Sequence, residues 1–214
     1  MAEKKGFFIT FEGPEGAGKS SQLQLLAHTL AQRGYECVCT REPGGTPLAE
    51  ILRAIVKEHQ SDEMLHDETE LLLMEAARSQ HVREVIAPAL AQGRIVLCDR
   101  FADSSTAYQG VARGIDVDTV RRLNDFAFGH CRPDLTLLLD LPVERGFERT
   151  RRRVETQGEV DRFEKEDLNF HHKVREGFLA IAAAEPKRVK VINADRDAER
   201  IAGEIWQIVD ELLS

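Results

Sequence analysis

The sequence predicts an α/β protein: a five-stranded parallel sheet with helices on both faces. Three observations carry that prediction. Five short apolar, strand-like runs fall at Phe7–Phe11, Cys37–Cys39, Ile95–Cys98, Leu135–Leu141 and Val189–Ile192. Helical patterns lie between them, the alternation expected of parallel strands joined by crossover helices. The first run also leads directly into a glycine-rich loop and then a helix. No internal repeat or low-complexity linker breaks the alternation. With 214 residues, 42% of them hydrophobic, the chain suits one domain, 1–214, rather than two.

Phe7–Phe11 is followed by Gly13-Pro14-Glu15-Gly16-Ala17-Gly18-Lys19-Ser20, the P-loop pattern, and then by a helix with Leu23, Leu26, Ala27 and Leu30 on one face. The glycines let the backbone curl so that successive N–H groups point inward at phosphate oxygens, and the helix N-terminus adds partial positive charge. Lys19 then reaches the β- and γ-phosphates, and the Ser20 hydroxyl can ligate Mg²⁺. With Ser21, these residues form the donor-binding segment of a chain that binds a nucleoside triphosphate.

After the second run comes Thr40-Arg-Glu-Pro-Gly-Gly-Thr-Pro47, whose Pro-Gly-Gly turn ends the strand and lets backbone approach a ligand; Arg53 falls on the helix beyond it. Glu68–Gln92 reads as one long helix, dense in Leu and Ala, with Pro88 near its end. Asp99-Arg100 follows the third run, where residues past a strand end line the ligand crevice of an open α/β sheet. Asp99 there either holds Mg²⁺ or its waters, or is a turn-forming Asp paired to its neighbour; Arg100 can grip a phosphate with two N–H groups. Between Arg145 and Glu166 the pattern degrades into Arg149-Thr-Arg-Arg-Arg153 and a glycine-containing stretch. A mobile lid over a phosphate site (about 145–166) has this composition, and so does a solvated helix end with a surface loop. Glu164–Ala184 is the next predicted helix, with Val174, Phe178, Ile181 and Ala182 on one face. Ile201, Ile205, Ile208, Val209 and Leu212 make the last helix amphipathic.

A net charge of −8 provides no overall basic field to hold nucleic acid. The sequence carries no signal peptide and no long apolar span, so no membrane partner is expected and a cytoplasmic protein is. Cys37, Cys39, Cys98 and Cys131 lack C-x-x-C pairing and read as buried reduced thiols rather than metal ligands or disulfides.

Taken together, these motifs are similar, almost end to end, to those of bacterial thymidylate kinases. The carriers are the P-loop, Thr40-Arg-Glu-Pro-Gly-Gly-Thr46, Ala76-Ala-Arg78-Ser-Gln-His81, Asp99-Arg100-Phe101, Ser104-Ser-Thr-Ala-Tyr-Gln-Gly110 and Gly158-Glu-Val-Asp-Arg-Phe-Glu164. The resemblance implies a three-layer P-loop kinase fold, transfer of phosphate from ATP to dTMP, and a Mg²⁺ cofactor. It implies that Arg53 and Arg100 clamp the acceptor phosphate while Asp99 positions the metal or that arginine. Glu15 takes the sugar 3′-hydroxyl, Arg78 the thymine edge and Gln109 the imide. Tyr108 fills the space of a ribose 2′-hydroxyl, and Glu42, Pro43 and Ser105 complete the substrate site. A homodimer packed through long helices is implied as well; the run Leu71–Leu73 fits it, as ordinary core packing does.

One subgroup of that family carries a catalytic arginine in the P-loop and the other in the lid. Here the P-loop has none, while Arg149, Arg151, Arg152 and Arg153 crowd the lid; Arg149 and Arg153 are taken as the catalytic candidates beside Lys19, Asp99 and Arg100. The lid is a little longer than the family form, with Val154-Glu-Thr-Gln157 between the arginines and Gly158. A second departure is Met74, which stands where the family places a phenylalanine against thymine; a thioether can also lie against an aromatic ring. Two competing readings share the P-loop. A deoxynucleoside kinase would use the carboxylate as a base, whereas Arg53 and the lid arginines suit a phosphate acceptor. A nucleotide-dependent switch protein would have no use for a second-substrate pocket.

Overall fold

In the central strands, alternate side chains enter two different hydrophobic layers. Ile9 and Phe11, Ile95 and Leu97, and Leu135, Leu137 and Leu139 join Leu23, Leu26 and Leu30 of the first helix and Ile201, Ile205 and Val209 of the last. The residues between them face the other way: Phe8, Val96 and Cys98 meet Val82, Ile86, Phe101 and Phe128, and Leu138 meets Phe170, Val174 and Phe178. A period of two whose two faces are both apolar is the pattern of a sheet covered on both sides.

The computed structural model describes residues 6–57, 63–157, 162–163 and 166–213, leaving aside the side chains of 152–157. Its strands are β1 (Phe7–Glu12), β2 (Cys37–Arg41), β3 (Ile95–Asp99), β4 (Leu135–Asp140) and β5 (Val189–Asn193). They pair in the order β2-β3-β1-β4-β5, every pair parallel. The helices are α1 (Lys19–Gln32), α2 (Pro47–Lys57), α3 (Asp67–His81), α4 (Ala87–Ala91), α5 (Ala102–Ser105), α6 (Val117–Phe128), α7 (Val143–Gln157), α8 (Leu168–Ala184) and α9 (Ala198–Leu213). Because every strand runs the same way, Glu12, Arg41, Asp99, Asp140 and Asn193 all end on one edge of the sheet. The chain leaves β1 toward β3 and β2 on one side and later toward β4 and β5 on the other. The crevice of such a sheet opens at that reversal, above β1. Among the described residues, no helix is long and apolar enough to cross a membrane.

The five-stranded parallel sheet and the helices on both faces match the expectation from sequence; several boundaries do not. Four strands run past the predicted apolar stretch into polar residues that still hold the ladder, as where Phe11 and Arg41 both pair with Asp99. Leu141, predicted within the fourth strand, lies beyond it. The helix expected over Glu68–Gln92 is α3, a π-helical segment Val82–Ile86 and α4 in succession. Pro88, which has no N–H to give to the helical ladder, follows directly on the π segment, where the regular i→i−4 pattern is already interrupted. A second π segment, Thr106–Ala112, holds the Tyr108–Gln109 pair. The charged stretch read as a break in pattern is helical as far as Gln157, with Val143 buried and Phe147 half-buried. The motif Gly158–Glu164 and the start of the predicted helix at Glu164 lie largely outside the described residues. α8 itself begins at Leu168, capped by Asp167, which accepts from the Phe170 N–H at 2.7 Å. All four cysteines are free thiols as expected, but only Cys98 is buried: Cys37 and Cys131 are half-buried and Cys39 is exposed.

Candidate active site

The loop from Gly13 to Gly18 joins β1 to α1, with Gly13, Gly16 and Gly18 all at positive φ. Pro14, Glu15 and Ala17 lie between these turns; Ser20 and Ser21 stand exposed on the first turn of α1. Lys19 is folded back beneath the loop, donating to the carbonyls of Gly13 (3.0 Å) and Pro14 (2.8 Å). Burial, and then the neighbouring Arg100, lower its pKa to about 8. A ligand phosphate offers that ammonium a better partner than two carbonyls. The Ser20 hydroxyl donates to Asp99 Oδ2, so the start of α1 and the end of β3 bring two hard oxygen ligands together. That donor set fits Mg²⁺, a hard cation that takes oxygen ligands: Ser20 and Asp99 would hold it, and it would supply positive charge beside a bound phosphate. It is not a protein cage: no group of three or more His, Cys, Asp or Glu gathers among the described residues.

Arg100 is the hinge of the site. It has φ +67°, the one positive φ at a non-glycine among the described residues, a conformation costing about 1 kcal/mol or more. Its N–H donates to Phe11 O at 2.9 Å, and the next N–H, of Phe101, donates to Glu12 Oε1 at 2.7 Å. The twist aims the guanidinium at the P-loop: Nη2 meets Glu15 Oε1 at 2.5 Å and Nη1 the Gly13 carbonyl at 3.2 Å. Tyr108 donates its hydroxyl to the same Glu15 oxygen at 3.1 Å. The Tyr108 ring is fixed edge-on against Phe163, Phe170 and Phe178. Burial works against the Glu15 charge, but Arg100 and then Lys19 outweigh it and hold the group at about 2.

Arg78, on α3, is buried. Its Nε donates to Glu42 Oε2 (2.8 Å), Nη1 to Glu75 Oε1 (2.5 Å) and Asn124 Oδ1 (2.6 Å), and Nη2 to Ser105 Oγ (3.0 Å). Burial opposes its charge, and Glu75 and Glu42 outweigh that, raising the pKa further. Four of its five N–H groups are used, leaving one on Nη2. Glu42 is spent on both sides, since His81 Nδ1 lies 2.9 Å from its Oε1. Gln109, buried, donates Nε2 to Glu70 Oε1 at 2.7 Å. Arg53 donates to the Pro43 carbonyl at 2.7 Å, beside the Glu42–Pro43 turn. Met74 is half-buried and packs on the cluster containing Tyr108.

The root of α7 presses on the P-loop. A Cβ on Gly146 would stand 2.5 Å from Glu15 O, and one on Gly16 2.5 Å from Gly146 O, so only two glycines let these backbones touch. One turn on, Arg149 reaches the carbonyls of Gly16 (3.4 Å) and Ala194 (3.2 Å), with Asp195 at 3.5 Å. Arg151 is exposed; the side chains of Arg152 and Arg153 lie outside the described residues.

The sequence reading missed Glu12, Glu70, Asn124, His81 and Gly146. Glu12 is fully buried and accepts from Phe101 N, Ser104 N and Ser104 Oγ. The strand-end rule that found Asp99 applies to Glu12 too. Glu70 looks like ordinary acidic charge in a first helical turn, and a lone mid-helix Asn124 carries no signal at all.

The family model for thymidylate kinase matches residues 11–205. The chain is 49% identical over 210 residues to the thymidylate kinase of Syntrophotalea carbinolica, covering 97% of each. It is also 49% identical over 206 residues to that of Geobacter sulfurreducens, covering 95% of this chain and 96% of the relative. Its structure is similar to the crystal structure of thymidylate kinase from Ehrlichia chaffeensis, with TM-score 0.78 and 35% identity over 96% of this chain and 99% of the other.

Proposed function

Since this chain belongs to the thymidylate kinase family and phosphorylates dTMP to dTDP with ATP, we propose how its residues divide that work. The reading rests on one observation: the Arg100–Glu15–Tyr108 constellation ties the phosphate loop to the aromatic cluster of Tyr108, Phe163, Phe170 and Phe178. Two anionic phosphates meet there, and the reaction needs alignment and positive charge rather than a strong base.

On the donor side, the loop N–H groups and Lys19 hold the ATP phosphates. Ser20 and Asp99 hold Mg²⁺, which when bound neutralises charge on the phosphate oxygens. On the acceptor side, Arg100 and Arg53 hold the dTMP phosphate, so that its oxygen faces the γ-phosphoryl group in line. Glu15, ionised, accepts from the 3′-hydroxyl, and Tyr108 excludes a 2′-hydroxyl by filling its place. Arg78 offers its remaining N–H to thymine O4. Glu42 and Ser105 act through Arg78, and Pro43 through Arg53. Gln109 meets the imide, with Met74 against the ring. The enzyme is of the lid-arginine type, one domain with the lid at 145–166, and Arg149, already against the P-loop, stabilises the transferring group.

A homodimer belongs to the same proposal. Exposed apolar side chains lie on α2 (Leu48, Ile51, Ile55), α3 (Leu72) and α6 (Phe126, 81% exposed), with α3 packed on both other helices. The working compartment is the cytoplasm, where ATP is supplied. Initial rates with dTMP, dUMP, dCMP, dAMP and dGMP in turn test the assignment, and a preference for any of the last three overturns it. Light scattering tests the dimer: Phe126→Glu should halve the mass, and a wild-type monomer would remove the dimer.

A further inference from the structure

Glu70 has no place in the roles above, yet it is fully buried directly behind Gln109. Gln109 Nε2 donates to its Oε1 at 2.7 Å, Arg113 Nη2 lies 3.4 Å from its Oε2, and Arg162 pairs with it as well. Arg113 is itself held over the Phe170 ring at 4.6 Å. A carboxylate only accepts hydrogen bonds, so the Gln109 amide has one permitted orientation, NH₂ toward Glu70. The reverse would bring two oxygens together in a buried site. The Gln109 carbonyl oxygen is then the free end, and it accepts no hydrogen bond from the described residues.

We propose that Glu70 is a specificity-determining positioning residue: it fixes the Gln109 amide so that an acceptor faces N3 of the base, selecting pyrimidines that carry a proton there. The proposal rests on the reading that Gln109 meets the imide. Thymine presents an N–H at N3 and an oxygen at C4; cytosine presents a bare N3 and an amino group. An acceptor from Gln109 and a donor from Arg78 match the first and oppose the second at both positions.

The test is kcat/KM for dTMP and dCMP in four proteins. In Glu70→Gln, Arg113 and Arg162 draw the new carbonyl oxygen toward themselves and turn its NH₂ to Gln109. The Gln109 amide should flip and offer a donor to N3. The dTMP-over-dCMP ratio should fall about tenfold or more, with KM for ATP unchanged. Gln109→Leu should lose a similar share of the ratio. The exchange variant, Glu70→Gln with Gln109→Glu, again presents an oxygen to the base and should restore the ratio, which a purely structural role would not do. If Glu70→Gln keeps the wild-type ratio while Gln109→Leu loses it, the proposal fails and the base contact stands. If Gln109→Leu keeps it, the base contact itself fails. Should Glu70→Gln melt early, the exchange variant decides: a lost ratio at wild-type melting temperature overturns the proposal.

Discussion

The phosphate loop and the pocket around Arg78 are built in contrasting ways. The loop is nine consecutive residues, Gly13–Ser21, and much of what it offers a ligand is backbone. The pocket gathers side chains from the β2 turn, α3, α5 and α6, and the partners of Arg78 include residues 27, 36 and 46 positions away. Among the described residues, Lys19 donates hydrogen bonds only to carbonyls of its own loop, whereas Arg78 answers two buried carboxylates. A charge removed from the first region should cost chemistry alone; one removed from the second should cost chemistry and fold together.

Arg78→Ala is the sharpest way to break the comparison. It leaves Glu42 and Glu75 buried with a guanidinium missing, a loss of about 3–5 kcal/mol. Urea denaturation should show the midpoint falling with an unchanged slope, alongside weakened dTMP binding. A variant that binds dTMP poorly at wild-type stability would mean that the pocket ion pairs carry no structural energy. On the other side, Lys19→Ala should lower kcat by about 10²–10³-fold, as loss of one preorganised donor does, while its melting temperature stays close to wild type. Turnover near normal at saturating ATP and dTMP would move the donor charge elsewhere.

Glu12 adds a third case, a buried carboxylate at the end of β1 bonded to Phe101 and Ser104 beside Arg100. Burial, then the charge of Asp103, raises its pKa from the usual 4.5 to about 8. The folded chain therefore keeps a proton that the unfolded chain releases. The stability from this group is complete below about 4.5 and drains away as pH rises to about 8. Glu12→Gln, a fixed neutral mimic, should gain on wild type as pH rises from 5 to 9, by roughly 1 kcal/mol or 2–4 °C in melting temperature. A difference that does not change with pH would show that Glu12 is ionised throughout.

What could be seen in the sequence follows this division. The sheet was visible because alternating apolar residues fill two layers, as with Ile9 and Phe11 against Phe8. The loop was visible because phosphate binding needs particular residues at fixed local spacing. Strand ends were misjudged where polar residues continue the ladder, as at Asp99 and Arg41. α7 is obscured in the sequence because its apolar stripe is thin: Val143 is buried and Phe147 half-buried one turn later, but most residues around them are charged. Residues known only by resemblance, Arg78 and Gln109, turned out to depend on Asn124 and Glu70, whose relation to them exists only after folding. Gly146 is the same kind of case: its use is the touch of a second backbone, which no local pattern encodes.

The smallest expected effect concerns Met74, the residue proposed to lie against the thymine ring. Met74 is half-buried and packs on the cluster of Tyr108, Phe170 and Phe178, so it lies at the border between base pocket and core. A sulfur–ring contact with thymine is worth about 0.3–1.5 kcal/mol, and a ring–ring contact has a similar bonus of about 0.5–1.5 kcal/mol with more area. Met74→Phe should therefore hold or slightly tighten dTMP binding. Met74→Ala should weaken it by about 1–3 kcal/mol through lost apolar burial. ATP binding should stay constant in both, because α3 serves the acceptor side. Calorimetric titration of each nucleotide, beside a thermal melt, separates the two duties of the side chain. A Met74→Ala protein that melts early and binds dTMP normally would assign Met74 to the core and leave the ring to another residue.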